Sequence, residues 1–225
     1  MSAKPEHSER VRKALELFPA EQKAVIKSGA EVMRAAEGRL YPLDFLVLGA
    51  AKRYVSTAAA FRLMIENWNM ICARTLLRMH IDTTLRFSAA WLVEDPHRFA
   101  SEILGGERID KMRDKKGSRL TDAYLVQLRS PDLPWLPEVY KNLSGYVHFS
   151  GSHIFDSITK LNDDERTAHF QIVETDTKFP ERSWLELVDC FMETSAAFRG
   201  YLNGYAASKG TSSQSANGEV NNDAR

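Results

Sequence analysis

The sequence lacks a long apolar run and any excess of one charge. Its best apolar stretch, residues 43–51, is far too short to cross a bilayer, and residues 1–7 lack the apolar core of a signal peptide. Lys plus Arg and Asp plus Glu number 30 each, so no general basic field draws the protein onto nucleic acid. We therefore expect a cytoplasmic protein without membrane contact, in which any polyanion site is local.

Cysteine is scarce, and glycine motifs for nucleotides are missing. Cys72 and Cys190 lie in apolar helical patterns without CxxC spacing, which favours two reduced core thiols over a disulfide or a metal site. There is no phosphate-cradling glycine loop, no Rossmann fingerprint and no alternation of strands with helices. These absences argue against a parallel-sheet nucleotide enzyme.

What is present is helical periodicity. The chain has 225 residues, 44% of them hydrophobic, which is enough for one sizeable core. Two apolar segments, 154–161 and 167–173, flank a turn-forming cluster of Asn and Asp and indicate a small hairpin. The fold prediction is therefore all-α, an antiparallel helical bundle with one small β-hairpin and a disordered C-terminal tail.

The predicted helices and domain limits follow from capping residues, prolines and composition. Residues 208–225 have Val220 as their only large aliphatic side chain, so they cannot offset the entropy of ordering. We expect an N-terminal helical arm at 1–38, the bundle at 39–207 with its hairpin at about 153–174, and the tail at 208–225. Helical patterns occupy 8–18, 19–36, 43–66, 69–93, 96–104, 121–129, 137–147 and a core helix opened by a Ser183–Glu186 capping box.

The helix at 69–93 carries Arg74, Arg78, Asp82 and Arg86 at intervals of four, nearly in line along one side. Apolar neighbours surround this row, so a partly buried guanidinium there needs a carboxylate such as Asp82. The row is either a ladder of ion pairs that fixes helix packing or part of a site. His80 lies about 120° round the helix from Arg74, which favours a satisfied core histidine.

The segment 140–153 gathers polar chemistry where a helix should end. Lys141 and Asn142 lie within this helix, and His148 falls at or just beyond its end, free to fold back over the last turn. Histidine can transfer protons near neutral pH, and a fixed cation can stabilise charge on a phosphate. RNA cleavage without a metal needs little more. The alternative is plain C-capping by Asn142, Ser144 and His148.

A metal site is the weaker reading of the same region. His148, His153 and Asp156 are close in sequence, and His169 could reach them across the hairpin. No HExxH pattern and no paired cysteines accompany them. The sequence therefore predicts no bound metal and no cofactor.

Two segments together carry a family resemblance. Residues 78–82 (RMHID), followed by 90–92 (AWL), and the later stretch 140–148 (YKNLSGYVH) resemble an uncharacterised family of all-helical bacterial proteins. More distantly, the second stretch is similar to the HEPN superfamily signature, an Arg, then usually a polar residue, then a His four to six residues further on. The resemblance covers roughly residues 43–153. The HEPN arginine would fall at Lys141, which lacks the planar fork that holds phosphate in two places.

This resemblance implies a dimeric, metal-independent ribonuclease of toxin–antitoxin or phage-defence systems, although other HEPN members are inactive or bind nucleotides. It implies RNA or a nucleotide as ligand and a homodimer, and leaves a partner protein open. The competing hypothesis is a non-catalytic helical interaction module or complex subunit. The catalytic candidates are His148, Lys141, Arg78 and Asn142, and the binding candidates are Asp82, Ser144, Arg74, Tyr140 and His153.

Overall fold

A helical bundle with one two-stranded antiparallel hairpin forms the protein, as predicted. The computed structural model describes residues 5–219, with side chains for residues 5–209. The elements are α1 (Glu9–Leu15), α2 (Phe18–Arg34), α3 (Pro42–Glu66), α4 (Met70–Ser88), α5 (Pro96–Leu104), α6 (Asp122–Arg129), α7 (Leu136–Val147), α8 (Gly151–Ser157), β1 (Ile158–Asn162), β2 (Thr167–Phe170) and α9 (Glu181–Glu219).

Helix starts follow from local chemistry. Asn69 accepts a hydrogen bond from the Cys72 amide at the start of α4, Asp95 accepts two at α5, and Thr121 accepts one at α6. Such side-chain caps satisfy amide groups that have no partner inside the helix. Pro19 lies in the first turn of α2, where its missing N–H costs nothing. These caps confirm the predicted helix starts near 70, 96 and 122.

The core lies between α2, α3, α4 and α9. A short turn joins α3 to α4, which pack against each other, and α9 packs on α1, α2 and α4. Aromatic rings fill the centre, with the ring centroids of Phe61 and Phe191 4.4 Å apart and those of Phe18 and Phe61 5.7 Å apart. This close-packed interior places α4 in the middle of the bundle and fixes which of its faces meet other helices.

The N-terminal helices are part of this core, so the expectation of a separate arm at 1–38 is wrong. Val11, Phe18 and Val25 are buried in the same cluster as the residues of α3 and α9. Ser8 also donates a hydrogen bond to Glu181 at the start of α9. Charged residues are frequent in α1 and α2, but their apolar residues share one face of each helix. Burying that face alone is enough to make these helices part of the core.

Two other predicted boundaries are wrong. Residues 154–157 were expected to begin a strand, but they belong to α8, which Ser150 caps by accepting a hydrogen bond from the Ser152 amide. The last helix begins at Glu181, and Ser183 is inside it, with its amide donating to the Pro180 carbonyl. The predicted capping box at Ser183 and Glu186 is therefore not the helix start.

The end of the bundle reaches beyond the predicted boundary at 207. Ser208 and Lys209 belong to α9, and the Lys209 ammonium is buried against the Asp44 carboxylate at 2.8 Å and the Val32 carbonyl at 3.0 Å. A lysine paired with a carboxylate and hydrogen-bonded to a carbonyl can be buried where an isolated one cannot. The tail prediction is thus wrong for 208 and 209, and the expected disorder of 210–225 falls on residues without described side chains.

Within residues 5–219, no helix has the length and apolar content that crossing a membrane requires.

Candidate functional site

The row of charged residues on α4 faces three other helices. Arg86 donates two hydrogen bonds to the Asp122 carboxylate of α6, at 3.0 and 3.1 Å. Arg78 and Asp82 meet α7, and Arg74 meets α7 and α8. The row therefore joins α4 to its neighbours, and only the pair Arg78–Asp82 is intrahelical.

The centre of the row is a closed cluster of three side chains. The Arg78 guanidinium pairs with the Asp82 carboxylate, and its carbon lies 3.5 Å from the centroid of the Tyr140 ring. The Tyr140 hydroxyl donates to Asp82 at 3.0 Å. Burial raises the pKa of Asp82, against the opposing effect of Arg78, and burial also raises the pKa of Tyr140. The Tyr140 ring thus separates Arg78 from solvent, which makes Arg78 a poor phosphate clamp.

A second cluster holds the end of α7 and α8 against α4. Arg74 donates to the Tyr146 hydroxyl and to Asp156 at 3.3 Å, and the Tyr146 hydroxyl donates to Asp156 at 3.0 Å. The guanidinium carbon also lies 4.8 Å from the centroid of the Phe179 ring. Burial raises the pKa of Tyr146 to about 12. Arg74 therefore contacts a carboxylate and two aromatic rings, and Asp156 is its counterion.

His80 lies on the opposite, buried side of α4. One ring nitrogen is 3.0 Å from the Ser195 hydroxyl, and the ring centroid is 4.4 Å from that of Phe191. Complete burial lowers the pKa of His80 to about 3, so the ring is neutral at physiological pH. The interpretation of His80 as a core residue agrees with this position.

The structure does not bring His148 together with Arg78 and Asp82 in one chain. His148 follows α7 in extended backbone, with φ −113° and ψ 143°, and its side chain is exposed. It follows Tyr140 by eight residues, about 12 Å along the helix axis. The expectation that it folds back over the last turn is wrong, because Ser150 occupies that position and donates to the Gly145 carbonyl at 2.8 Å.

The polar neighbours of His148 divide into two groups. Lys141 and Asn142 are exposed and make no hydrogen bond or ion pair with any described residue. The Ser144 hydroxyl already donates a hydrogen bond within α7, to the Tyr140 carbonyl at 2.9 Å. His153 faces back toward the loop before α8, and its Nδ1 lies 3.4 Å from the Ser150 amide. Of the predicted site residues, Lys141, Asn142 and His148 are thus free for a ligand.

Gly145 has a role that the sequence did not indicate. A Cβ at this position would lie 2.9 Å from the Ser152 hydroxyl oxygen and 3.1 Å from that of Ser150. The glycine therefore permits the close approach of α8 to α7. A glycine inside a predicted helix is the signal that could have revealed this contact.

The described part of the chain, 5–219, contains no group of three or more His, Cys, Asp or Glu side chains that could hold a metal ion. Asp156, one of the residues considered for such a site, is paired with Arg74 instead.

The hairpin carries a candidate binding surface that sequence reasoning missed. Ile158 pairs with Phe170 and Leu161 with Ala168, and a register irregularity between Ile158 and Lys160 places these four side chains on one face. The other face has only polar side chains, namely Lys160, Asn162, Thr167 and His169. Phe170 is 62% exposed and Leu161 58% exposed, so the apolar face, here named the hairpin face, is not covered by the described part of the chain.

Exposed apolar side chains also precede and follow the hairpin in the sequence. Phe149 is 87% exposed, Phe155 70% and Ile172 92%. Isolated exposed apolar residues are normal, but an accumulation within one segment, residues 147–173, indicates an interaction surface. We name the exposed side chains of this stretch the apolar segment. Its members are Val147, Phe149, Ile154, Phe155, Leu161, Phe170, Ile172 and Val173.

Comparison with known proteins gives no matching family model, no similar curated protein and no similar solved structure. The resemblance of residues 78–82, 90–92 and 140–148 to an uncharacterised helical family, and the more distant one of 140–148 to HEPN proteins, therefore stay predictions.

Proposed function

We propose that the protein is a non-catalytic helical interaction module that self-associates through the apolar segment. The observation that carries the proposal is the hairpin face, in which Leu161 and Phe170 are exposed on the same side of a two-stranded sheet. A two-stranded hairpin is at best marginally stable without a surface to pack against. The occupant of this face is a second copy of the chain.

The energy available supports this assignment. A phenylalanine side chain buries about 150–250 Å², so Phe149, Phe155 and Phe170 together expose roughly 400 Å². Summed over the three side chains, that area is comparable with the largest apolar patch of a typical monomer. Burying it gains about 10 kcal/mol at about 25 cal/mol per Å², before the costs of association. The remaining side chains of the apolar segment add to this gain.

A second copy suits this surface because a face-to-face pairing of two hairpin faces is self-complementary. In a twofold dimer the same patch of both molecules meets itself, and Phe170 of one copy packs near Phe170 of the other. The chain has no net charge, so long-range repulsion does not oppose the encounter of two copies.

Light scattering after size-exclusion chromatography tests the proposal. We expect the mass of a dimer for the natural chain, and the mass of a monomer for Phe170→Asp combined with Phe149→Asp. Leu63→Asp is the matched control, because Leu63 is 51% exposed on α3, outside the apolar segment. It should stay dimeric. A natural chain that is monomeric at its highest soluble concentration would overturn the proposal.

A second candidate function is HEPN-like RNA binding or cleavage at His148, Lys141 and Asn142. It is favoured by one observation: His148 is exposed between Val147 and Phe149, two members of the apolar segment. A dimer formed on these residues carries His148 of both copies at its interface. There the imidazole can take the proton of a ribose 2′-hydroxyl while Lys141 binds the phosphate.

Single-stranded RNA incubated with the protein and a chelator tests this candidate. Cleavage or binding by the natural chain should fall at least tenfold in His148→Ala and Lys141→Met, with both variants still dimeric. If the natural chain neither binds nor cleaves RNA, the second candidate is wrong and the first is unaffected.

A further inference from the structure

A cavity of about 610 Å³ lies between α4, α9 and the connection from α6 to α7. This volume is in the range of small-molecule binding sites. It is far from the hairpin face in the chain, and none of its lining residues belongs to the apolar segment. Its apolar walls are formed by Ile81, Leu85, Trp91, Leu133 and Leu136.

The side formed by α9 consists largely of small residues. Ala196, Ala197, Gly200 and Gly204 line the cavity, and a Cβ built on either glycine would meet no described atom within 4 Å. Two glycines in a helix interior lower its stability relative to alanine. Here they leave open the space that larger side chains would fill.

One wall carries a guanidinium that makes no ion pair with a described carboxylate. Arg129 donates to the Ser88 hydroxyl at 3.1 Å and to the Ser88 carbonyl at 3.2 Å, and its guanidinium carbon is 5.2 Å from the centroid of the Tyr201 ring. No carboxylate within residues 5–209 forms an ion pair with it. Two acids, Asp132 and Glu193, also line the cavity, and Glu193 accepts a hydrogen bond from the Trp135 indole at 2.5 Å. Because the lining carries two carboxylates and one guanidinium, a carboxylate ligand must be held by direct hydrogen bonds to Arg129.

A second polar group of the cavity lacks a hydrogen-bond partner among the described residues. Thr84 lines the cavity, is 5% exposed, and its Oγ1 has no hydrogen-bond partner among the described residues. Buried hydroxyl groups in native proteins nearly always have a partner. A polar group of a bound molecule would supply it.

We propose that this cavity binds a small monocarboxylate with an apolar body, with its carboxylate on Arg129 and its apolar part along Ala197 and Gly200. A guanidinium is well suited to a carboxylate because its planar N–H groups match both oxygens. The apolar walls and the small residues of α9 accept the body of the ligand. The inference is independent of self-association through the apolar segment.

Calorimetric titration with octanoate, 1-octanol and octylamine tests the charge of the ligand, since the three share one apolar chain. We expect octanoate to bind at least tenfold more tightly than the other two, because only the carboxylate gains charge-assisted hydrogen bonds to Arg129. Arg129→Gln should abolish this preference. Equal binding of the three probes, tighter binding of octylamine, or no binding of octanoate would overturn the proposal.

A blocking variant tests the location. Gly200→Leu places a side chain in the cavity, its Cβ meets no described atom within 4 Å, and it removes a helix glycine, so it should keep or raise the melting temperature while octanoate binding falls at least tenfold. Gly49→Leu is the matched control, because a Cβ at Gly49 also meets nothing within 4 Å but this residue lines a different groove on α3. Unchanged octanoate binding in a folded Gly200→Leu protein would place the ligand elsewhere and contradict the inference.

Discussion

The guanidinium of Arg78 packs on the ring of Tyr140, and both side chains share the carboxylate of Asp82. This contact joins the central helix α4 to α7, with a charge pair beneath an aromatic cover. A buried guanidinium tolerates such a place because the carboxylate and the ring each offset part of its lost hydration. The cluster therefore has a structural role, which is to hold α7 against α4.

Removing Arg78 should destabilise the fold. We expect Arg78→Ala to lower the free energy of unfolding by about 3 kcal/mol, because Asp82 is left buried without its counterion. Tyr140→Phe should cost about 1 kcal/mol, since it removes one hydrogen bond to Asp82 and keeps the ring. Urea unfolding monitored by circular dichroism measures both.

The control for this experiment is Arg62→Ala, which breaks an exposed pair with Glu66 at the same i, i+4 spacing. It should change stability by no more than about 0.5 kcal/mol. An Arg78→Ala protein as stable as the Arg62→Ala protein would show that the cluster does not hold the helices together.

Arg74 should control the order of α8 and the hairpin. Arg74→Met removes the guanidinium that contacts Asp156 and Tyr146, so we expect faster amide exchange at 152–170 with little change in α3. Hydrogen–deuterium exchange with mass spectrometry resolves these segments. Arg182→Met, which breaks an exposed pair with Glu186, is the control. Equal exchange in both variants would contradict this role of Arg74.

Lys209 should be essential to the bundle although it lies near the predicted tail. Its side chain is 2% exposed and that of Asp44 is fully buried, so Lys209→Met leaves a buried carboxylate unpaired and should cost about 3 kcal/mol. Adding Asp44→Asn should restore part of the loss, because an amide oxygen can still accept the Tyr41 amide that Asp44 accepts now. Thermal and urea unfolding of the single and double variants measure the coupling free energy between Lys209 and Asp44. Additive losses in the double variant would exclude the pair as the cause.

His80 should make stability depend on pH. Burial lowers its pKa to about 3 from the ordinary 6.5, so between these values the unfolded chain binds a proton that the folded chain does not. Stability contributed by neutral His80 is therefore complete above pH 6.5 and is lost as the pH falls toward 3, at up to about 1.4 kcal/mol per pH unit. His80→Gln should flatten the unfolding profile in this window. Identical unfolding profiles for the natural chain and His80→Gln would contradict the burial of a neutral His80.

Local signals predicted much of the fold. The helices predicted at 96–104 and 121–129 start where the structure starts them, at the Asp95 and Thr121 caps, because caps act within a few residues. The prediction of a strand at Ile154 and Phe155 is wrong because a short apolar run is too short to show whether its period is that of a helix or a strand. The cap at Ser150 starts a helix there.

The candidate site was less accessible to sequence reasoning because its contacts are distant along the chain. The spacing of Arg74 and Arg78 showed that they share a face of α4, but not that Asp156 and Tyr140 would meet them there. Lys209 was assigned to a tail by its polar neighbours, and its partner Asp44 is 165 residues away. Sequence periodicity shows which residues share one face of a helix. It does not show which residues of other elements contact that face, because this depends on how the helices pack.

The position of α9 has a consequence for how the chain is made. Its residues complete the interior formed by α2 and α4, and its Lys209 closes onto Asp44 of α3. During translation, the first helices therefore emerge from the ribosome with apolar stripes that their final neighbour cannot yet cover. Folding to the native interior must wait until residue 209 has left the exit tunnel, so the helices before it are exposed to chaperones until then.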